Sequence, residues 1–473
     1  MPDRVDALVG IDAGTTALKT GVVTLDGRLL ALETEPYGLS QPEPDAAEQD
    51  GQAWWAALAT TTRRALQRVG RHVQVVGVSI GGQAPTFIAT DAEMRPTAPA
   101  VTWMDQRPVP VAEALYARLG HSVPVWGSWP AQAAWFSQHR PDALGRTRWF
   151  FGCPDYLTAR LTRTPVMSLY VSQAEVDAGG LDTRLVPPQH DAGEVVGGVH
   201  TSAALETGLL EGTPVVSGFV DGVLGVLGSG ARQPGDACMN GGTSGTFSTV
   251  CLPPLGYELL GVRVLGGGAI NTSGKALDWF VQQIGPRGSA YEELLDETAS
   301  VAAGADGLLF LPHLAGERSP VRDPRTRGAW VGLTLAHDRR HLLRAVLEGV
   351  AFSFRALQCT IEAEGAVVRD VRSVGGQARS PLWNQIKADI LNRPVRVPEV
   401  VEAAVTGSAI LAARGVGAFR SNEEAGRNMV RIAHQFEPDP RRAAVYEELF
   451  DMYCGLYPAL RETSWRLHDL GGS

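Results

Sequence analysis

The sequence predicts an α/β protein built from two similar lobes. Three observations carry that expectation. The chain opens as strand, Gly/Thr knot, strand, in "ALVGID", "AGTT" and "ALKTGVVTL". The pattern returns after residue 213: "TPVVSGFVDG" is a buried strand running into an acid, and "DACMNGGTSGTFSTVCLP" is again strand, knot, strand. Matching knots in a repeated unit read as an internal duplication. At 473 residues the chain also exceeds one simple core, with room for about two to four domains. The linker-like "GSGARQPGD" sets the boundary near residues 230–236, giving lobes 1–232 and 233–473.

The elements follow in order. Asp26-Gly27 is a hairpin turn leading to a third strand, "RLLALETE". A helix is expected around Trp54 to Val69, then the strand "VQVVGVSI", a bend at Gly81-Gly82 and the apolar run "TFIATD". Residues 108–165 read as helical and rich in tryptophan. In the second half, "DRRHLLRAVLEGVAFSFRAL" places Leu343, Val346, Leu347, Val350, Phe354 and Leu357 on one helical face, with Asp338 as N-cap. "SPLWNQIKADILNRP" starts a helix at the cap Ser380 with Pro381 at N1, and ends it before Pro394.

Composition narrows the function classes. Hydrophobic residues at 44% and charged residues at 20% describe an ordinary globular protein. A net charge of -9 argues against a nucleic-acid partner, which needs a basic face. The five cysteines, Cys153, Cys238, Cys251, Cys359 and Cys454, form no CxxC pair. That pattern is neither a zinc site nor a disulfide framework and fits a reducing compartment. Asp3 and Asp6 precede the first strand, unlike a signal peptide, and no run of about 18 apolar residues could span a bilayer. A cytoplasmic enzyme without a membrane partner is the expectation.

The knots carry the chemistry. In "DAGTT", Gly14 lets the backbone bend close to a ligand. Free N–H groups of such a bend, with the hydroxyls of Thr15 and Thr16, can hold phosphate oxygens. Asp12 would then hold Mg²⁺ or its waters against that phosphate. A capped hairpin turn facing solvent is the other reading. Neither a P-loop nor a dinucleotide fingerprint fits: "NTSGKALD" lacks the first Gly and final Ser/Thr, and "GSGARQ" fails at its last position. The second knot repeats the first with Gly241, Gly242, Thr243 and Gly245. Asp221 begins a small-residue helix, where the macrodipole favours an acid. It is either a simple N-cap or a base that orients a hydroxyl toward phosphorus.

Together "GIDAGTT", "AEQDGQAWW", "TWMDQR", "DYLTARLT", "PVVSGFVDG", "NGGTSGT", "FLPHLAGERSP", "HLLRAVLEGVAF" and "GGQARSPLWNQIKADILNRPV" resemble the FGGY family of carbohydrate kinases over about residues 7–420. The nearest look is toward the pentulose kinases, xylulokinase above all. The resemblance implies a two-lobed actin-like ATPase (ribonuclease H-like) fold, each lobe a mixed five-stranded sheet with helices, and an active site in the interlobe cleft. It implies that Asp12 positions Mg²⁺, that Thr15 and Thr16 form the first phosphate knot, and that Asp221 is the catalytic aspartate that takes the hydroxyl proton, also facing the metal. Gly242 and Thr243 then match the second knot, Gly266 and Gly267 a further turn at the phosphates, and Gly375, Gly376 and Asn384 the adenosine pocket.

The sugar end departs from the family pattern. Xylulokinases carry Gly-Gln-Met-His-Gly where this chain has Gly82-Gln83-Ala84-Pro85-Thr86. Pro85 has neither a side-chain donor nor a backbone N–H. A polyol is read by hydrogen bonds, so a missing partner can shift preference by several kcal/mol. Gln83, Ala84, Pro85, Trp103 and Asp105 are the candidate sugar contacts. Asp105 with Arg107 reads equally as an ion pair bracing the loop. Trp126 and Trp129 are either an apolar wall for a sugar or core. The charged run "GERSPVRDPRTR" reads as structural.

The sequence is therefore expected to encode a kinase that moves the γ-phosphate of ATP, with Mg²⁺, to a primary hydroxyl of a ketopentose or related polyol. D-xylulose is the leading acceptor, with ribulose, L-xylulose, erythritol and gluconate as alternatives. A small sugar or polyol is the expected partner, and the family often forms homodimers. The competing classes are a sugar-independent ATPase or chaperone of the same fold and a catalytically dead sugar sensor. The latter should lack Asp12 or Asp221, and both are present.

Overall fold

The computed structural model describes residues 4–124, 127–168, 171–286 and 291–471. The chain divides into two compact units. The first comprises residues 1–228 and 403–430, the second 229–402 and 431–473. The single boundary expected near residue 230 makes no provision for the return of 403–430 to the first unit. That return has a physical reason. The helix Ala403–Gly415 packs on the first unit's central strands, and Ser408 Oγ donates to the Ile11 carbonyl at 2.9 Å.

In the first unit the strands are β1 (Val5–Ala13), β2 (Ala17–Thr24), β3 (Leu29–Pro36), β4 (Glu48–Gln49), β5 (Val73–Gly82), β6 (Phe87–Thr90), β7 (Ala100–Val101), β8 (Trp149–Gly152), β9 (Val195–Gly198) and β10 (Pro214–Val216). The main sheet runs β3-β2-β1-β5-β10-β9. β1, a central strand, is buried throughout "ALVGI", and the helices Gly51–Val69 and Ala403–Gly415 pack on it. The helix Gly51–Val69 starts three residues before the expected Trp54. Asp50 caps it, accepting from the Gln52 N–H at 2.8 Å, and Trp54, Leu58, Thr61 and Ala65 form its buried face. A smaller sheet, β4-β7-β6-β8, carries an aromatic cluster of Phe87, Trp129, Phe136 and Phe150. β8 interrupts the stretch expected to be helical over 108–165, because "WFFG" pairs antiparallel with β6.

In the second unit the strands are β11 (Asp236–Gly241), β12 (Gly245–Val250), β13 (Tyr257–Leu259), β14 (Val262–Ile270), β15 (Leu309–Leu311), β16 (Ala329–Val331), β17 (Asp370–Val374), β18 (Val395–Pro398) and β19 (Ile432–Phe436). Its main sheet runs β13-β14-β12-β11-β17-β18-β19. The helix Arg339–Ala363, capped by Asp338, buries Leu343, Val346, Leu347, Val350, Phe354 and Leu357 in its core.

The duplication is visible in the pairing. β3-β2-β1 and β14-β12-β11 are both antiparallel, and β1-β5-β10 and β11-β17-β18 are both parallel. The expected five-stranded sheets are these cores. Antiparallel edge strands extend them, β9 in the first unit and β13 and β19 in the second.

Candidate active site

In the first unit, Asp12 is the penultimate residue of β1, opposite Lys19 of β2 and Gly81 of β5. Asp221 opens the helix Asp221–Ser229 just after β10, where Val220 bridges to Gly82. The two acids therefore stand on either side of the β5 terminus. Burial holds the Asp12 carboxyl above the ordinary carboxylate range, with Lys19 pulling the other way. Burial and then the Asp12 charge raise Asp221, against the Gly222 N–H that donates to its Oδ1 at 2.6 Å. Asp12 Oδ1 is closed off and has no hydrogen-bond partner among the described residues. Burial, and the nearby Cys153, Asp12 and Asp221, push the Tyr37 hydroxyl up as well.

The turn from Gly14 to Thr16 joins β1 to β2, and its carbonyls are held from outside the hairpin. The Gln83 N–H donates to the Ala13 carbonyl at 3.0 Å, and the Tyr37 hydroxyl donates to that of Gly14. Gln49 Nε2 donates to the Thr15 carbonyl at 2.7 Å, and the Tyr37 N–H to that of Thr16 at 3.2 Å. Trp103 Nε1 donates to Thr15 Oγ1 at 2.9 Å, so this candidate sugar contact sits on the first turn. Sequence reasoning missed Tyr37 and Gln49. "AEQD" marked the position of Gln49, but nothing local shows that it reaches residue 15.

Ala84 and Thr86 line a small cavity with Phe219 and Val220, immediately before Asp221. Gln83 is buried and donates through Nε2 to Gln49 Oε1 at 2.7 Å. The Pro85 carbonyl accepts from Gln132 Nε2 at 3.2 Å.

One candidate sugar contact is corrected, and of the two readings open for Trp129 the core one holds. Asp105 accepts from the Arg107 N–H and Nε on Oδ1, and from the Ala47 N–H and Arg107 Nη2 on Oδ2. All four lone-pair directions are taken, leaving none for a sugar. It is the loop-bracing partner of Arg107, which also binds Glu43 and Glu48 and stacks 4.4 Å over Trp135. Trp129 is core, 1% exposed, and its indole N–H donates to the Phe151 carbonyl at 3.0 Å. Trp126 lies outside the described residues.

In the second unit, β11 and β12 frame the counterpart turn, with Gly241 opposite Gly245. The Gly242 carbonyl accepts from the Gly274 N–H at 2.8 Å. The Thr243 carbonyl accepts from the Ser273 and Lys275 N–H groups at 3.0 and 3.2 Å. Exposed Lys275 thus stands beside this turn, in the segment that fails as a P-loop. Gly266 and Gly267 are not a turn: they lie inside β14, and a Cβ on Gly267 would come within 2.6 Å of the Leu357 carbonyl on the covering helix. Gly375, at φ +80°, follows β17 and packs so near the Gly241 carbonyl that a Cβ would meet it at 2.8 Å. Gly376 has open space where a Cβ would stand. Asn384 is buried in the helix Pro381–Leu391, where Nδ2 donates to the Ala378 carbonyl at 2.8 Å and Oδ1 accepts from Ser373 Oγ at 2.9 Å. It braces the turn that carries Gly375 and Gly376.

The duplicated sheet, with turns at corresponding strand ends, defines a two-domain kinase fold of the actin-like ATPase type. Family models match residues 7–175, as the N-terminal domain of the FGGY family of carbohydrate kinases, and residues 247–416, as its C-terminal domain; the chain belongs to that family. It is a phosphotransferase, and membership implies use of ATP. The chain is 29% identical to a xylulose kinase of Bacillus subtilis strain 168, covering 97% of this chain and 98% of the relative. It is 28% identical to a gluconokinase of the same organism, covering 98% of each. The crystal structure of xylulose kinase from Rhodospirillum rubrum superposes with a TM-score of 0.80 at 28% identity, over 97% of this chain and 99% of that one. Among the described residues, no helix is long and apolar enough to cross a membrane.

Proposed function

We propose that this kinase transfers the γ-phosphoryl group of ATP to a primary hydroxyl of a ketopentose or a sugar acid, with D-xylulose the first acceptor to test. The relatives named xylulose kinase and gluconokinase support those two acceptor classes. The first unit supplies the acid pair, the first phosphate turn and the acceptor loop Gln83-Ala84-Pro85. The second supplies the turn at Gly242 and Thr243 and the nucleotide pocket at Gly375 and Gly376.

One observation carries the reading: two carboxylates, Asp12 and Asp221, stand on either side of the β5 terminus beside a turn whose carbonyls are tied away. Asp221, fixed at the helix start with Oδ1 held by the Gly222 N–H, takes the proton of the attacking hydroxyl. Phosphoryl transfer depends mainly on positioning, and this acid also aims the hydroxyl. The unpartnered Asp12 Oδ1 fits a divalent cation, since Mg²⁺ is typically held by one or two carboxylates plus substrate phosphates. Asp12, with Asp221 beside it, would hold Mg²⁺, which when bound neutralises phosphate charge. Pro85, lacking a donor, favours an acceptor that is not gripped at that point of the loop.

The test is ADP release from Mg·ATP measured without sugar and with D-xylulose, L-xylulose, D-ribulose, erythritol, D-gluconate and glycerol. Release that rises at least tenfold with a ketopentose or gluconate is expected. Equal release with and without every acceptor would leave an ATPase in place of this reading.

A further inference from the structure

The four successive carbonyls from Ala13 to Thr16 each accept a hydrogen bond from outside their hairpin, from Gln83, Tyr37, Gln49 and Tyr37 in turn. A trans peptide is planar, so tying a carbonyl to one side turns the N–H of the next residue to the other. The N–H groups of Gly14, Thr15, Thr16 and Ala17 are therefore set by what grips the carbonyls. Successive N–H groups presented this way make an anion-binding concavity.

The Gln49 amide has only one workable orientation. The Trp54 indole N–H can only donate, and it meets Gln49 at 3.2 Å, so the atom there is the oxygen. The same oxygen accepts from Gln83 Nε2 at 2.7 Å. The other end must be the amino group, and it donates to the Thr15 carbonyl at 2.7 Å. Trp54, Gln49 and Gln83 are all buried, at 0%, 2% and 1% exposure, so water cannot substitute freely for any of them. The chain Trp54–Gln49–Thr15 joins the helix Gly51–Val69 to the turn, and the branch to Gln83 ties in the acceptor loop.

We infer that Gln49 and Tyr37 are positioning residues of the phosphate site: they hold the carbonyls of Gly14, Thr15 and Thr16 away from the nucleotide so that the following N–H groups face its phosphates. The inference rests on the reading of the turn given under Proposed function. Neither residue touches the reacting atoms through this role. Trp54 sets the sense of the Gln49 amide.

The test compares two ligands on the full chain by calorimetry with Mg²⁺: the imido-bridged, non-hydrolysable ATP analogue and adenosine, which has no phosphates. The variants are Gln49→Met, of similar size without the amide, and Tyr37→Phe, which removes one hydroxyl. Both are expected to bind the ATP analogue at least tenfold more weakly than the wild type and adenosine unchanged, whereas general loosening would weaken both ligands. Wild-type affinity for the analogue in both variants would overturn the inference while leaving the phosphate turn in place. A wild type that binds the analogue no tighter than adenosine would remove the phosphate reading and the inference with it. Should Gln49→Met fail to fold, Tyr37→Phe decides alone.

Discussion

Asp105 has no lone-pair direction left for a ligand, and that distinguishes it from Asp12, whose Oδ1 has no partner among the described residues. Both are acids beside a bend, so local sequence treats them alike. The difference lies in partners 58 and 59 positions earlier, the Ala47 N–H for Asp105 and Glu48 for its Arg107, which meet them only after folding. The places of Asp12, Thr15 and Thr243 at strand-joining turns, and of Asp221 at a helix start, were legible because each polar cluster follows an apolar strand. The bonds by which Asn384 braces its turn were not, since they leave no local mark, whereas core was one of the two readings open for Trp129 and is the one found. Asp105→Ala is expected to cost about 3 kcal/mol, at the low end for breaking a buried pair because Glu43 and Glu48 still reach Arg107. Chemical denaturation checks the loss. The KM for the acceptor should move less than threefold, and a large KM rise in a stably folded variant would return Asp105 to the sugar.

At the scale of elements, hairpins and capped helices followed closely from local signals. Asp338 and Ser380 cap the helices expected of them, and the second ends at Leu391, before Pro394. The glycines of β14 misled because close helix packing and a phosphate turn ask for the same residue. The helix Pro381–Leu391 also carries a group its amphipathic pattern does not explain. Lys387 is fully buried, 4.8 Å from the Trp383 ring and 5.8 Å from that of Phe354, and its Nζ has no hydrogen-bond partner among the described residues. Burial pushes its ammonium down to about 7 from an ordinary 10.5. The unfolded chain then binds more protons than the folded one between about 7 and 10.5, so stability rises with pH across that window and is lost as pH falls through it. Lys387→Met should flatten this slope and raise the melting temperature at pH 7.5. Parallel wild-type and variant melting curves from pH 7 to 10 would contradict the assignment.

At the scale of the molecule, the duplication was legible as two knots and the path of the chain was not. Residues 403–430 belong to the first unit because the helix Ala403–Gly415 covers β1 and β5, a pairing across some 400 residues that no local pattern encodes. Ile410→Ala in that helix, at a fully buried position, is expected to destabilise the first unit by about 2–5 kcal/mol. Hydrogen exchange should quicken in β1 and β5. Quickening confined to β17 and β18 would contradict the assignment of that helix.

The proposed role of Asp221 is to accept the proton of the hydroxyl that attacks ATP. It is tested most directly by Asp221→Asn, which keeps the side chain's size and removes its basicity. Single-turnover transfer from Mg·ATP to the acceptor identified by the sugar panel should fall by about three orders of magnitude or more, as expected for loss of a general base together with its orienting role. Binding of the imido-bridged ATP analogue measured without Mg²⁺ should stay within threefold of the wild type. Transfer at a tenth or more of the wild-type rate would contradict it.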